Sequence, residues 1–271
     1  IGIHRQETGG FHMALILDKT EQKIVDIIDA HRNEIIAFAK DIYTHAELGY
    51  KEYRTAEKFA SFMKNLGLET KEGLAVTGVK AYLNEEEKTN VSLALIGELD
   101  ALRIPEHKYA NPETQGAHCC GHHAQLAGVI GAALALTNED VKKELDGQVV
   151  FFAVPAEEYG EIEFKNSLIV QENTHAYSGG STDVGDVQHL QPVLTFNTGG
   201  KVSGLHSVDF DIVDEELAYV VTAKIFALSA YRLLRDGAVK AKEIVENYQP
   251  IFTKEEYIKY MDSFIKTETY Q

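Results

Sequence analysis

Residues Gly116–Gln125 read Gly-Ala-His-Cys-Cys-Gly-His-His-Ala-Gln, which gathers His118, Cys119, Cys120, His122 and His123 into one short stretch. Thiolates and neutral imidazoles are good ligands for zinc-like ions. Gly121 separates Cys120 from His122, and a glycine there lets the backbone bend sharply enough to aim both side chains at one point. The apolar run Leu126–Leu136 follows at once. The cluster therefore belongs on a loop and the first turn of a helix, where a helix N-terminus favours the thiolate form of Cys. Cys120 and His122 are the leading metal ligands. His118 either orients a ligand or serves as one, His123 fits a supporting place behind the ligands, and Cys119 fits better as a small packing residue.

Carboxylates complete such chemistry. Glu157 and Glu158 follow the apolar run Gln148–Val154. Adjacent side chains in extended backbone point differently, so one can ligate a metal while the other holds a proton, the natural arrangement of a general base for hydrolysis. The alternative is a pair of solvated acids. Asp100 follows the apolar run Val91–Ile96 and could orient an imidazole, neutralise the site, or cap a turn. His206, beside Gly204, is as reasonable a structural histidine as a ligand. Asp183 and Asp186 in Ser-Thr-Asp-Val-Gly-Asp either serve the site or cap turns.

The elements that must position these residues are legible from periodicity. Ile24, Ile27, Ile28, Ile35, Ile36, Ala39 and Ile42 recur at helical spacing from Asp18, an N-cap with Glu21 completing a capping box. His45–Gly49 breaks this helix, and a second runs from about Arg54 to Leu66. Gly78–Leu83, Val91–Ile96 and Gly147–Val154 read as strands, the last two apolar enough to be covered on both faces. The helix after the Cys-His cluster reaches about Thr137, Gln191–Phe196 could be a strand, and helices follow over Asp214–Leu234, Ala238–Glu246 and Lys254–Ile265. In open α/β sheets, sites collect at the carboxyl ends of strands. Asp100, Glu157 and Glu158 follow two such ends, and the cluster starts the helix between them.

The 271 residues carry 42 acidic against 26 basic side chains, a net charge of −16 that argues against nucleic-acid binding. A hydrophobic content of 44% supports a buried core. No stretch reads as a bilayer span or secretory signal, so no membrane association is expected and a cytoplasmic location fits. Cys119 and Cys120 are the only cysteines. Adjacent cysteines rarely form a disulfide, so a reducing compartment and a ligand role are the natural reading. Residues 1–12 are polar and patternless and end at His12-Met13; they read as an expression-tag remnant, with the catalytic domain spanning 13–271. There is no Walker or dinucleotide glycine loop and no Gly-x-Ser-x-Gly elbow. A cysteine-protease Cys–His pair is available in the cluster but would leave the carboxylate pair without a role.

In order along the chain stand His45-Ala-Glu-Leu-Gly49 with Glu52 and Thr55, Gly97-Glu-Leu-Asp-Ala-Leu102, and His118-Cys-Cys-Gly-His122. Pro155-Ala-Glu-Glu158, Gly180-Ser-Thr-Asp-Val-Gly-Asp186, and Leu205-His-Ser207 with Asp209-Phe210 follow. This series resembles the aminoacylase/carboxypeptidase-type metallopeptidases, in their amidohydrolase branch, which includes aminobenzoyl-glutamate hydrolases and hydrolases of auxin–amino-acid conjugates. The resemblance implies a single zinc-peptidase-like α/β catalytic domain, a mixed central sheet with helices on both faces. It implies two divalent metal ions, zinc or manganese. Cys120 would bridge them, His122, Glu158 and His206 would be terminal ligands, Glu157 the general acid/base that activates the water between them, and Asp100 a supporting acid. The implied activity is hydrolysis of an amide bond in a small molecule, an N-acyl amino acid or an aminobenzoyl-glutamate-like compound.

The chain departs from that family between about 160 and 180, where members carry an inserted lid that also forms the dimer. A lid does not fit there. His175 is the single histidine in the interval where members place another ligand, and its surroundings match poorly. A chain without the lid can be monomeric and is expected to turn over poorly even with metal bound. The competing reading is an inert metal-binding domain of the same ancestry. A thiol redox protein using Cys119 and Cys120 is the third.

Overall fold

The computed structural model describes residues 16–84, 90–160 and 183–264. The chain opens with α1 (Lys19–Ala30), and Asp18 caps it with the expected box, its side chain accepting from the Glu21 backbone while Glu21 reaches back to the Asp18 backbone. A turn at His31 separates α1 from α2 (Arg32–Thr44), so the long first helix expected from the spacing is two. After α3 (Tyr53–Asn65) come the strands β1 (Glu69–Leu74), β2 (Gly78–Leu83) and β3 (Ser92–Glu98). A small ribbon pairs β4 (Leu102–Arg103) with β5 (Gly116–Ala117). Then follow α4 (His122–Leu136), α5 (Glu139–Lys142), β6 (Gln148–Val154) and α6 (Glu157–Gly160). The remainder holds α7 (Asp183–Gln188), the paired β7 (Lys201–Val202) and β8 (Asp211–Ile212), a π-type turn over Glu216–Val220 that runs into α8 (Val221–Leu234), then α9 (Val239–Asn247) and α10 (Lys254–Asp262).

The central sheet has the order β1-β2-β6-β3. β3 and β6 are parallel, in register from Ser92 against Gln148 to Glu98 against Val154, and the other pairs are antiparallel. This is the mixed sheet with flanking helices that the sequence implies. β1 was not anticipated, because Glu69-Thr-Lys-Glu-Gly-Leu74 has no apolar alternation. It is an edge strand, and charged side chains there discourage pairing with another chain. Gln191–Phe196 forms no strand; Phe196 instead packs edge-on against Phe226 of α8.

α4 is the core helix. It is apolar around nearly its whole circumference and buried along it, as a helix with no solvent face must be. One side lies on β3 and β6, and the other meets α1, α2 and α8. Glycines allow this closeness: a Cβ at Gly131 would stand 2.5 Å from the Ala223 Cβ, and one at Gly97 would stand 3.1 Å from the Leu126 backbone nitrogen. The helix-facing row of the sheet, Ala81, Leu95 and Phe151, is buried in the same core. Contrary to the expectation that no stretch could span a bilayer, Glu216–Leu234 is long and apolar enough by length and composition. Tyr219, Ala223, Ala227 and Leu234 within it are core residues, and the segment packs against α4 and α1.

Candidate metal centre

The β3–α4–β6 unit places the chemistry. Because β3 and β6 are parallel, their carboxyl ends meet at one edge, and the Leu99 N–H donates to the Val154 carbonyl there at 2.8 Å. Glu98 ends β3, Asp100 follows it, and Glu157 opens α6 just after β6. α4 begins at the same edge. Its first residue, His122, follows Gly121, whose φ of 102° suits a residue without a Cβ. A fourth segment joins from far along the chain. The His206 N–H donates to the Cys119 carbonyl at 2.9 Å, which holds the 204–208 loop over the cluster.

His122 is the hub. Its Nδ1 lies 2.9 Å from the Asp100 carbonyl oxygen and 3.2 Å from Asp100 Oδ1. Its Nε2 lies 2.8 Å from Glu98 Oε2, 3.5 Å from Glu157 Oε2 and 3.6 Å from Glu158 Oε1. Glu158 Oε1 is also 3.5 Å from His206 Nε2. Cys120 is in side-chain contact with both His122 and Glu158. Asp100 organises the backbone as well, since its Oδ2 accepts the Glu158 N–H at 3.0 Å. Four carboxylates thus crowd one imidazole, all at 7% side-chain exposure or less.

That crowding shapes the ionisation. Burial opposes charge on His122, but Glu98, Asp100 and Cys120 outweigh it and hold the imidazole well above its usual value. Burial opposes ionisation of Glu98 too, yet His122 and Gln125 bring it below the usual carboxylate value. Burial raises Glu158, and His122 and His206 offset only part of the rise. Burial pushes the Cys120 thiol up to about 11 despite His122 beside it. One imidazolium balances a single negative charge among four buried carboxyl groups, and uncompensated buried charge is costly. A divalent cation is the natural counter-charge.

The donor atoms fit one. Among the described residues, His122 Nε2, Asp100 Oδ1 and both Glu158 carboxylate oxygens are buried without a hydrogen-bond partner. Two groups of donors converge among the described residues, each with its ligand atoms within 4.8 Å of one another: Cys120, Glu158 and His206, and Glu98, His122 and Glu157. Thiolate, imidazole and carboxylate are a zinc-type set, with the carboxylate-rich group also suited to manganese.

The remaining candidates lie elsewhere. His118 and His123 are fully buried beside the cluster, and neither joins a donor group among the described residues. His123 stacks on Tyr43 with ring centroids 4.5 Å apart and lies 5.5 Å from His118. Burial holds His118 well below its usual value and His123 at about 3, so both are neutral packing imidazoles. Cys119 is buried with Tyr43, Ala117 and Phe210, the packing role expected for it. The Asp186 carboxylate lies near Tyr257 of α10 and, after burial, helps hold that phenol above its usual value, and of Asp183 only the backbone is described. His175 lies outside the described residues.

Sequence reading passed over Glu98 as a site residue, although Glu98 and Asp100 are two apart at a strand end and share a side of the chain. Glu52 was noted only within a motif. It is buried, accepts from the Thr77 hydroxyl and from the Ala156 N–H, and so pins the loop that carries Glu157. Glu47 similarly receives the Thr55 N–H and hydroxyl at 2.8 Å each, fixing the start of α3.

No protein-family profile matches the chain. Thermostable carboxypeptidase 1 of Saccharolobus solfataricus is 28% identical over 147 residues, 50% of this chain and 37% of that protein. IAA-amino acid hydrolase ILR1-like 4 of Arabidopsis thaliana is 34% identical over 140 residues, 48% of this chain and 30% of that protein. N-acyl-L-amino acid amidohydrolase of Geobacillus stearothermophilus is 25% identical over 142 residues, 51% of this chain and 38% of that protein. Among solved structures, the Bacillus subtilis YXEP protein, titled a dinuclear metal binding peptidase from the M20 family, is 30% identical with a TM-score of 0.43. That match covers 48% of this chain and 36% of that one. The matched part of the chain spans well under half the length of these relatives. Over that part, this chain is similar in sequence to these carboxypeptidases and amidohydrolases.

Proposed function

We propose that this chain carries the catalytic centre of a metal-dependent amidohydrolase that cleaves the amide bond of an N-acyl amino acid or an aminobenzoyl-glutamate-like compound. The observation that carries the reading is the pair of donor groups meeting at the carboxyl edge of β3 and β6. Cys120, Glu158 and His206 would hold one divalent ion, and His122 would hold the other. Bound there, zinc or manganese would polarise the scissile carbonyl and make water a nucleophile at neutral pH. Glu157 moves the proton: it takes one from the attacking water and returns it to the departing amine. Asp100 keeps the Nδ1 of His122 engaged and the Glu158 backbone in place. The free thiols of Cys119 and Cys120 fit a reducing, cytoplasmic compartment.

A second reading is an inert metal-binding domain of the same ancestry. It is favoured by the short path from Glu158 to α7 at Asp183, which does not hold the lid that the family inserts. Elemental analysis of the purified chain, with hydrolysis of N-acyl amino acids under added zinc or manganese, separates the two. Turnover that is lost in Glu157→Gln supports the enzyme, and bound metal without turnover supports the inert domain. No metal in the wild type, but full metal in a sample reconstituted with the relatives' missing segment, would show that this chain lacks an essential ligand.

A further inference from the structure

Glu98 holds a place that neither the expected ligand set nor the expected acid/base pair assigns. Its side chain is 7% exposed at the end of β3, and Oε2 stands 2.8 Å from His122 Nε2. Among the described residues, Nε2 is buried without a hydrogen-bond partner of good alignment. Nε2 and the Glu98 carboxylate belong, with Glu157, to a group whose ligand atoms all lie within 4.8 Å of one another, the relation of neighbouring ligands around a shared point. The other end of the imidazole is already committed, because Nδ1 faces the Asp100 carbonyl. Nε2 is therefore the nitrogen free to bind an ion.

Glu98 itself is held rigidly. The Gln125 side-chain amide Nε2 donates to Glu98 Oε2 at 2.8 Å, and Gln125 Oε1 accepts the Glu98 backbone N–H at 3.0 Å. Gln125 lies on the first turn of α4, the same turn as His122. The two donors are thus braced against each other by a reciprocal pair of bonds, the kind of outer support that fixes ligand orientation.

We propose that Glu98 is a metal-ligating carboxylate, which with His122 forms the second ion position beside Glu157 and adjoining the position of Cys120, Glu158 and His206. On this arrangement the second ion takes its charged donor from β3, and His175 is not required. The inference rests on the metal-dependent reading above and adds to it a ligand.

Zinc titration of the chelator-stripped full chain, followed by desalting and elemental analysis, tests it. Wild type is expected to retain two ions and Glu98→Gln, which is isosteric and keeps an oxygen for Gln125, one. His175→Ala is expected to retain two. Loss of an outer hydrogen-bond partner weakens a metal by roughly 10–100-fold, so weakening of that size with two ions still bound in Glu98→Gln would overturn a ligand role. So would loss of an ion in His175→Ala with two retained in Glu98→Gln, or a wild type that saturates at one ion. A wild type that binds none would overturn the metal-dependent reading itself. Circular dichroism verifies folding of each variant. If Glu98→Gln does not fold, Glu98→Asp, which keeps the charge but shortens its reach, replaces it: one ion supports the proposal and two at unchanged affinity overturn it.

Discussion

His122 Nδ1 lies 2.9 Å from the carbonyl oxygen of Asp100, and a carbonyl only accepts. The proton is therefore on Nδ1 whenever the ring is neutral, and Nε2 presents its lone pair to the carboxylates. One backbone oxygen thus sets which face of the imidazole does chemistry. The same residue's Oδ2 takes the Glu158 N–H, so Asp100 tunes two donors while remaining outside both donor groups.

Asp100→Ala should therefore act on stability and on metal together. It leaves the buried Glu158 N–H without its acceptor, at a cost of about 1–3 kcal/mol. Urea denaturation of the metal-free chain reads the first effect. Competition with a zinc chelator reads the second, expected as roughly 10–100-fold weaker binding.

Glu157→Gln should separate binding from turnover. The amide keeps the shape of the side chain but cannot take a proton. Any hydrolysis by the wild type should fall by about 10²–10⁴-fold, while metal content by elemental analysis stays near the wild-type value. A variant that loses its metal instead would make Glu157 a ligand rather than a base.

The α4–α8 seam offers a test away from the site. Gly131→Val would drive a side chain into the Ala223 Cβ and the Ile35 side chain, where even a bare Cβ finds 2.5 and 2.9 Å. Overpacking of this kind costs about 1–3 kcal/mol. Thermal denaturation should show a lower midpoint, and far-UV circular dichroism the same helix content.

Acid stability should depend on Glu21. Its carboxylate is held below the usual 4.5 by the Arg232 guanidinium, with burial opposing and the Asp18 backbone assisting. A depressed carboxylate contributes stability that is present above the unfolded value and lost as pH falls through the folded one. Glu21→Gln should therefore be less stable than wild type at pH 7, with the gap narrowing as pH drops below about 4.5. Paired denaturation curves at pH 7 and pH 3.5 would read this directly; a gap that widens in acid would contradict it.

Much of the frame was legible because it is local. The Asp18–Glu21 capping box appears as expected. Gly78–Leu83 forms a strand with those bounds, and the helix after the cluster ends within a residue of its expected limit. Each rests on periodicity and terminal chemistry that a short window of chain contains. β1 was not legible, because a polar edge strand has no buried face to write into its sequence. The turn at His31 was not legible either, since the apolar spacing of Ile24, Ile28, Ile35 and Ala39 serves one core across both helices.

By itself, the order of residue types determined that thiol, imidazole and carboxylates stand at the ends of two buried strands and at the start of the helix between them. Those positions follow from hydrophobic patterning and from Gly121, which are properties of the chain alone. The tertiary structure decided which of them meet. Parallel pairing of β3 with β6 puts Glu98 across from Val154 and so beside the Glu157 turn. Close packing of α4 on β3, permitted by Gly97, brings His122 within 2.8 Å of Glu98. The 204–208 loop carries His206 to Glu158 through a bond to the Cys119 carbonyl. Such meetings depend on strand order, register and the depth at which a helix sits on a sheet. These are set by contacts between segments far apart in the chain, and no local pattern records them.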